Sequence, residues 1–340
     1  MTVVENEYVA SLPMLLTELE VARVDRVSPS FVRIELAGAA LAEFGTPGPV
    51  FDQRIKLIFP NAAGTLPSFA AMDESWWTTW TEIPETERGS MRTYTVRDVV
   101  GDGPDTRLVV DIVVHEDDDH ADHASPDAQT GSLDGAGNRW ALQARVGQRL
   151  VVLAPRRGHE FGGIEWSPGD ASRLLLVGDE TAVPAIRGVL RDLPADATGA
   201  AFLEVPVSGD VLDDVVAPAG VEVTWLPRNG RPRGTDLHAA VLAHLTGSAP
   251  AEAVDSVALP DDDIDPQLWE TPVHSSSGEE VGTSTAVPTA GTPYAGLYAW
   301  IAGESKVVTG LRRKLVNELG LDRGQVAFMG YWREGVSMRS

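Results

Sequence analysis

Six consecutive residues combine guanidinium groups, an aromatic ring and hydroxyl groups: Arg92, Thr93, Tyr94, Thr95, Val96 and Arg97. On a β-strand, Arg92 and Tyr94 would point to the same side. The arginine can then pair with a phosphate in bidentate fashion, the phenol ring can cover a flat isoalloxazine, and the Thr95 hydroxyl can reach a ring nitrogen. An ordinary amphipathic strand has the same local pattern, so the hexapeptide by itself leaves both interpretations open.

A second candidate segment follows the apolar run at residues 173–177. Its members are Gly178, Asp179, Glu180, Thr181, Ala182 and Pro184. A strand, a tight turn and a helix predicted over residues 181–190, with proline in its first turn, are typical of a nucleotide-binding unit. The G-x-G-x-x-G fingerprint is absent, and the two acidic residues would repel a pyrophosphate placed over that helix end. The match is therefore one of architecture alone.

Composition excludes several partners and chemistries. Lysine and arginine number 27 against 50 acidic residues, a formal charge of −23 that would repel a phosphate backbone, so nucleic acid is not an expected partner. The chain has no cysteine, which excludes disulfides, thiolate zinc sites and cysteine-ligated iron–sulfur clusters. Redox chemistry would need an organic cofactor or another metal. Since no signal peptide or long apolar run is present, we expect a cytoplasmic protein without a membrane span, and a monomer by default.

The first half of the chain has the pattern of short β-strands. Val32, Ile34 and Leu36 alternate with charged residues, as they do in a strand with one buried face. Further strand-like runs, separated by Gly, Pro or Asp clusters and without a convincing helix, lie at residues 55–59, 94–99, 108–115 and 150–153. This spacing predicts an antiparallel barrel or sandwich.

The second half alternates strands with helices. The turn-rich residues 166–170 predict a domain boundary, giving domains 1–168 and 169–340. Apolar runs that predict a parallel sheet lie at residues 173–177, 200–207, 221–226 and 296–302. Val307, Leu311, Leu315 and Leu319 then recur on one helix face before Gly320.

Two segments, 116–138 and 248–292, are predicted to be flexible insertions because small and polar residues dominate them. His120 and His123 lie among aspartates in the first insertion. Acidic loops of low complexity are usually solvated, so no metal site is expected there.

Taken together, the ordered motifs resemble the siderophore-interacting proteins, which are NAD(P)H-dependent ferric-siderophore reductases related to ferredoxin reductases. The resemblance spans most of the chain and rests on Arg92, Tyr94, Thr95, Arg97, His115, Trp140, Gly147, residues 154–158, residues 178–182, Pro184, Trp300, residues 302–305, Arg312, Arg313, residues 330–333 and Gly335. It departs from the family where residues 116–138 replace a short Gly-Pro-Ala-Ser-like stretch, and at Arg156 and Arg157, which replace a single arginine.

The resemblance implies an N-terminal antiparallel Greek-key β-barrel that binds FAD, followed by a parallel-sheet α/β domain that binds NADH or NADPH. Residues implied to bind the cofactors are Arg92, Thr93, Tyr94, Thr95, Val96, Arg97, His115, Trp140, Asp179, Glu180, Thr181, Ala182, Pro184 and Trp332. Thr95 and Lys56 are implied to be catalytic, and Lys56 and Lys306 to attract an anionic ferric siderophore.

The function implied is reduction of siderophore-bound Fe(III) by electrons from NAD(P)H passed through FAD, so that Fe(II) is released. Two alternatives remain open on the sequence: a general flavin or ferredoxin-type reductase with another acceptor, and a siderophore-binding protein without catalysis. NADH and NADPH are not distinguished. Arg228, Arg231 and Arg233 follow a predicted strand where they could meet a 2′-phosphate, or they could equally decorate a solvent loop.

Overall fold

The computed structural model describes residues 12–69, 75–115, 135–247, 269–271, 274–275 and 294–334. Contacts divide the chain into two units, Met1–Ile164 with Arg339–Ser340, and Glu165–Met338. The boundary predicted at residue 168 lies close to this division. Most of the two predicted insertions, including His120 and His123, lies outside the described residues.

A seven-stranded antiparallel sheet forms the first unit. Its strands are β1 (Met14–Ser28), β2 (Phe31–Ala37), β3 (Arg54–Phe59), β4 (Ser90–Thr95), β5 (Asp98–Val100), β6 (Arg107–Val113) and β7 (Arg149–Pro155), in the order β4-β3-β7-β1-β2-β6-β5. The edge strands β4 and β5 are joined by Val96 and Arg97 alone, and the Arg97 backbone N–H donates to the Val109 carbonyl in β6 (2.8 Å). The sheet therefore curls until its edges meet.

The result is the expected Greek-key β-barrel, because β7 returns to lie beside β3. The alternation expected in β2 is confirmed. Val32, Ile34 and Leu36 are buried in the barrel core, whereas Arg33 binds the Asp111 carboxylate through two hydrogen bonds of 2.7 and 2.8 Å.

Two short helices, which the sequence did not predict, also belong to this unit. They are α1 (Trp76–Glu82) and α2 (Ala136–Leu142). Trp80 of α1 is buried and donates its indole N–H to the Arg88 carbonyl (3.1 Å). Helices this short have little stability of their own, so packing of their aromatic residues is what forms them.

A mainly parallel sheet forms the second unit. Its strands are β8 (Arg173–Gly178), β9 (Thr198–Val205), β10 (Gly220–Pro227), β11 (Trp269–Thr271), β12 (His274–Ser275), β13 (Leu297–Glu304) and β14 (Val326–Trp332), in the order β10-β9-β8-β13-β14-β11-β12. All neighbours from β10 to β14 are parallel, and β11 and β12 add an antiparallel edge. The parallel α/β sheet is thus confirmed.

Three helices accompany this sheet: α3 (Val183–Asp192), α4 (Thr235–Thr246) and α5 (Ser305–Arg312). Helix α3 begins later than predicted because Thr181 is held in the preceding turn by Asp179. Helix α5 is followed by a π-helical segment at Arg313–Glu318. The predicted apolar helix face therefore extends over both segments, with Leu311 and Leu315 fully buried. Among the described residues, no helix is both long enough and apolar enough to cross a bilayer.

The buried His238 of α4 predicts a loss of stability in acid. Its Nε2 lies 2.9 Å from the Val307 carbonyl oxygen, and burial lowers its pKa to about 4. The folded chain holds this ring neutral, so the stability present above pH 6.5 is lost as the pH falls through 6.5 towards 4. Between pH 7.5 and pH 5 this group should cost about 2 kcal/mol.

Urea unfolding of the chain and of its His238→Gln variant at both pH values measures this cost as a difference in pH dependence. His244→Gln, which changes an exposed histidine of the same helix, is the control and should follow the unsubstituted chain. Equal pH dependence for the unsubstituted chain and the His238 variant would contradict the prediction.

Candidate functional site

Strand β4 divides the predicted flavin residues between its two faces. Tyr94 lies opposite Ile55 of β3, and Arg92 lies opposite Leu57. Directly opposed residues of an antiparallel pair share a face. Ile55 and Leu57 belong to the barrel core, so Arg92 and Tyr94 share the core-facing side of β4, as the hexapeptide predicts.

The residues predicted to be catalytic, Lys56 of β3 and Thr95 of β4, lie on the opposite face of this strand pair. Lys56 is opposite Thr93, and its ammonium group donates to the Thr93 hydroxyl (2.7 Å). Burial, and then the nearby Arg54, lower the pKa of Lys56. Thr95 shares this face by alternation and is buried. The Thr95 and Tyr94 side chains therefore point in opposite directions from the strand.

The ring of Tyr94 is half-buried and its position is closely constrained. It meets Phe59 edge to face, with ring centroids 6.0 Å apart. The hydroxyl end lies against Gly137 of α2, where a Cβ would collide with it. Burial raises the pKa of this phenol, so it stays protonated.

Arg92, on the same face of β4 as that ring, has N–H groups available to bind a ligand. It is half-buried, and its guanidinium donates to the Met91 carbonyl (2.7 Å). Within the described residues it forms no ion pair. A cation with uncommitted N–H groups on the same face as an aromatic ring fits a flavin nucleotide, which presents a diphosphate and a flat ring.

The last two residues of the hexapeptide serve the barrel. Val96 is fully buried in the core. Arg97 is also buried, and its Nε lies 3.9 Å from the Asp111 carboxylate of β6. Their side chains are thus committed to the protein interior.

His115 and Trp140 are brought to the same end of the barrel as Tyr94. The His115 backbone N–H donates to the Asn138 side-chain oxygen (2.9 Å), and the Asn138 amide donates back to the His115 carbonyl (3.2 Å). Trp140 packs on Phe59 with ring centroids 5.2 Å apart. Gly137 and Asn138 were not among the predicted site residues, because no sequence pattern marks the short helix α2.

In the second unit, the predicted nucleotide turn follows β8 at the carboxyl edge of the parallel sheet. Asp179 is buried and accepts from the Thr181 N–H (2.9 Å), the Thr181 hydroxyl (2.6 Å), the Glu304 N–H (2.8 Å) and the Trp332 indole (2.9 Å). Burial, and then the neighbouring Glu180, raise its pKa. Asp179 thus joins the ends of β8, β13 and β14.

Glu180 is fully buried between two arginines. Arg228 binds it through two hydrogen bonds (2.7 and 3.2 Å), and Arg233 through a third (2.7 Å). Burial alone would raise the pKa of Glu180, but the two guanidinium groups outweigh burial and lower it to about 2. Arg231 pairs with Asp236 (2.7 Å). All three arginines considered for a 2′-phosphate therefore already have carboxylate partners within the chain.

Trp332 places an aromatic ring at the carboxyl edge of the parallel sheet. Its indole N–H donates to Asp179, and the Arg233 guanidinium lies over its ring, 4.6 Å from the centroid.

Glu304 caps α5 by accepting from the backbone N–H groups of Lys306 (2.6 Å) and Val307 (3.1 Å).

The remaining predicted residues of this unit differ in exposure. Ala182 and Pro184 are buried, whereas Thr181, Lys306 and Trp332 are half-buried. Of the turn residues predicted to line a nucleotide cleft, Thr181 is the one that keeps appreciable accessible surface.

Comparison with known proteins matches both units. A family model described as siderophore-interacting FAD-binding domain covers residues 20–159, and one described as siderophore-interacting protein covers residues 171–335. The chain is 30% identical to an uncharacterized protein of Mycobacterium tuberculosis over 93% of its length and 89% of that protein. It is 26% identical to the ferric vibriobactin reductase ViuB of Vibrio cholerae over the same shares.

Among solved structures, a siderophore utilization protein from T. fusca is similar over 96% of this chain and 95% of that chain. The two share 27% sequence identity, with a TM-score of 0.61.

The buried charges around Glu180 predict a large effect of a small substitution. Glu180→Gln keeps the shape of the side chain but leaves two guanidinium groups without their shared charge, which should cost about 3 kcal/mol of unfolding free energy. Asp236→Asn is the matched control, because it breaks a pair whose arginine, Arg231, is exposed, and it should cost less than about 1 kcal/mol. Chemical denaturation measures both, and equal losses would refute the structural role of Glu180.

Proposed function

The chain belongs to the siderophore-interacting protein family, and we propose that it is a ferric-siderophore reductase that uses FAD and takes electrons from NADH or NADPH. The barrel matches the FAD-binding domain of this family. The observation that carries the proposal is Arg92, which has uncommitted donors on the same face as the constrained ring of Tyr94. The resemblance to ViuB, named as a ferric vibriobactin reductase, supports the choice of acceptor.

Each barrel residue has a distinct part in holding FAD. Arg92 would pair with the diphosphate and the Tyr94 ring would cover the isoalloxazine, while the Tyr94 hydroxyl lies against α2. The side chains of Thr93 and Thr95 point away from the Tyr94 ring, so these two residues would contribute to FAD binding through the strand backbone. His115 and Trp140 border the cofactor, whereas Val96 and Arg97 act by holding β4 in register.

Bound FAD would supply the redox chemistry, because a flavin accepts a hydride and can release the two electrons one at a time. One NAD(P)H is oxidised to NAD(P)⁺ with loss of a proton, and two ferric siderophores each gain one electron. Reduction releases the iron because the hard oxygen ligands of a siderophore favour the trivalent ion.

The nucleotide turn provides the second half of the proposal. Open parallel sheets bind ligands outside the carboxyl ends of their strands. Thr181 and Trp332 keep accessible surface at this edge, and Asp179, Glu180, Ala182 and Pro184 hold the turn from beneath. We assign NAD(P)H to this edge.

Lys56 and Lys306 are the proposed contacts of the substrate. Both are half-buried. Because the chain has 50 acidic residues, most of its surface would repel an anionic chelate, and a lysine ammonium group would attract one locally. The Lys56 ammonium group, held by Thr93, would attract an anionic ferric chelate. Thr95 lies on the same face.

Anaerobic mixing of the FAD-loaded protein with NADH or NADPH, a ferric siderophore and a ferrous-specific dye tests this function. We expect the flavin absorbance to bleach and the dye to report two ferrous ions for each nucleotide oxidised. Omission of the nucleotide is the control. Flavin bleaching without iron reduction would indicate a reductase with another acceptor. A colourless protein that takes up no FAD would indicate siderophore binding without catalysis.

Removing the Arg92 side chain should weaken FAD binding. Arg92→Ala deletes one charge-assisted contact, so we expect a loss of about 2 kcal/mol, or roughly 30-fold in affinity. Arg107→Ala is the control, because Arg107 is a half-exposed barrel arginine paired with Glu35. Quenching of FAD fluorescence on titration of the deflavinated proteins measures both. Unchanged affinity in the Arg92 variant would exclude it from the site.

A further inference from the structure

The short helix α2 touches the proposed flavin residues at several points. Gly137 lies against the hydroxyl of Tyr94, and Asn138 forms two hydrogen bonds with the His115 backbone. One turn of helix therefore contacts two residues that are distant in the sequence.

The bonds between Asn138 and His115 form a two-point clip. A single amide accepts from the N–H and donates to the carbonyl of His115, two residues after the end of β6. This reciprocal pattern resembles one step of an antiparallel ladder. It joins the backbone just after β6 directly to α2.

Gly137 controls how closely α2 approaches Tyr94. A Cβ at this position would collide with the hydroxyl and lie 3.2 Å from Cζ of the ring and 3.5 Å from the Phe59 ring. Gly137 lies within the helix, where alanine is favoured over glycine by about 1 kcal/mol. The requirement for glycine is therefore steric.

We propose that Gly137 and Asn138 are positioning residues for the flavin: Gly137 sets the place of the Tyr94 ring, and Asn138 locks the helix that carries it to His115. This inference rests on the FAD site of the proposed function. A stacked aromatic ring must be held within about 0.5 Å of its productive place, which only a rigid support can achieve. Separate contacts dock α2 on the core, since Ala141 is buried and Trp140 packs on Phe59.

A double-mutant cycle between Gly137 and Tyr94 tests the steric part. Gly137→Ala should weaken FAD binding at least about tenfold and alter the visible circular dichroism of the bound flavin. In the Tyr94→Phe background the same substitution should have a much smaller effect, because the colliding hydroxyl is gone and only the 3.2 Å contact with Cζ remains. Gly135→Ala is the matched control, since a Cβ at Gly135 meets nothing within 4 Å.

Additive losses in the cycle would overturn the inference, because they would mean that the methyl group damages the helix rather than displaces the tyrosine. Unchanged FAD affinity in Gly137→Ala would overturn it as well. Neither result bears on iron reduction by the unsubstituted protein, so failure here is distinguishable from failure of the reductase proposal.

Asn138→Ala tests the clip. It removes both bonds to His115, and we expect several-fold weaker FAD binding and a changed flavin dichroism spectrum, with the unfolding midpoint nearly retained because Ala141 and Trp140 still anchor α2. Gln143→Ala changes an exposed amide at the other end of the same helix and is the control. FAD affinity and spectrum equal to those of the control would refute the positioning role of Asn138.

Discussion

The two-residue link between β4 and β5 is the constraint on which the barrel depends. Val96 is buried in the core, the Arg97 N–H bonds to β6, and the Arg97 side chain approaches Asp111, which also holds Arg33. Since this link joins the two edges of one sheet, β4 cannot slide. A slip of one residue would send Arg92 and Tyr94 to the other face. Closing the barrel therefore also decides which side chains can form the proposed flavin site.

The second unit resolves an electrostatic conflict that is apparent in its sequence. Asp179 and Glu180 precede a helix whose N-terminal end would suit a phosphate, and two free carboxylates there would repel it. In the structure, Glu180 is neutralised by Arg228 and Arg233, and Asp179 is surrounded by N–H and hydroxyl donors. The expected repulsion is thereby largely removed. The acidic turn joins strand ends, and Arg228 and Arg233, which the sequence places where a 2′-phosphate could bind, are instead paired with Glu180 of this turn.

Much of the fold was readable because it follows from local patterns. The alternation at Val32, Ile34 and Leu36 and the apolar run before Gly178 identified a half-buried strand and a fully buried one. Helices α1 and α2 were not predicted because each is seven residues long and depends on packing of tryptophan, three residues in α1 and Trp140 in α2, which no periodicity reveals. The same holds for the candidate site. The sequence predicted the hexapeptide at residues 92–97 but not helix α2, which contacts Tyr94.

The sequence by itself determined the strand pattern, the shared face of Arg92 and Tyr94, the absence of thiolate chemistry and the resemblance to a flavoprotein family. Side-chain alternation is a property of the extended backbone, so it can be read from spacing alone. Only the tertiary structure decided that Asn138 bonds to His115, that Gly137 meets Tyr94 and that Arg228 is committed to Glu180. These contacts join residues far apart in the chain, and such contacts depend on how strands pair and helices pack, which the local sequence does not encode.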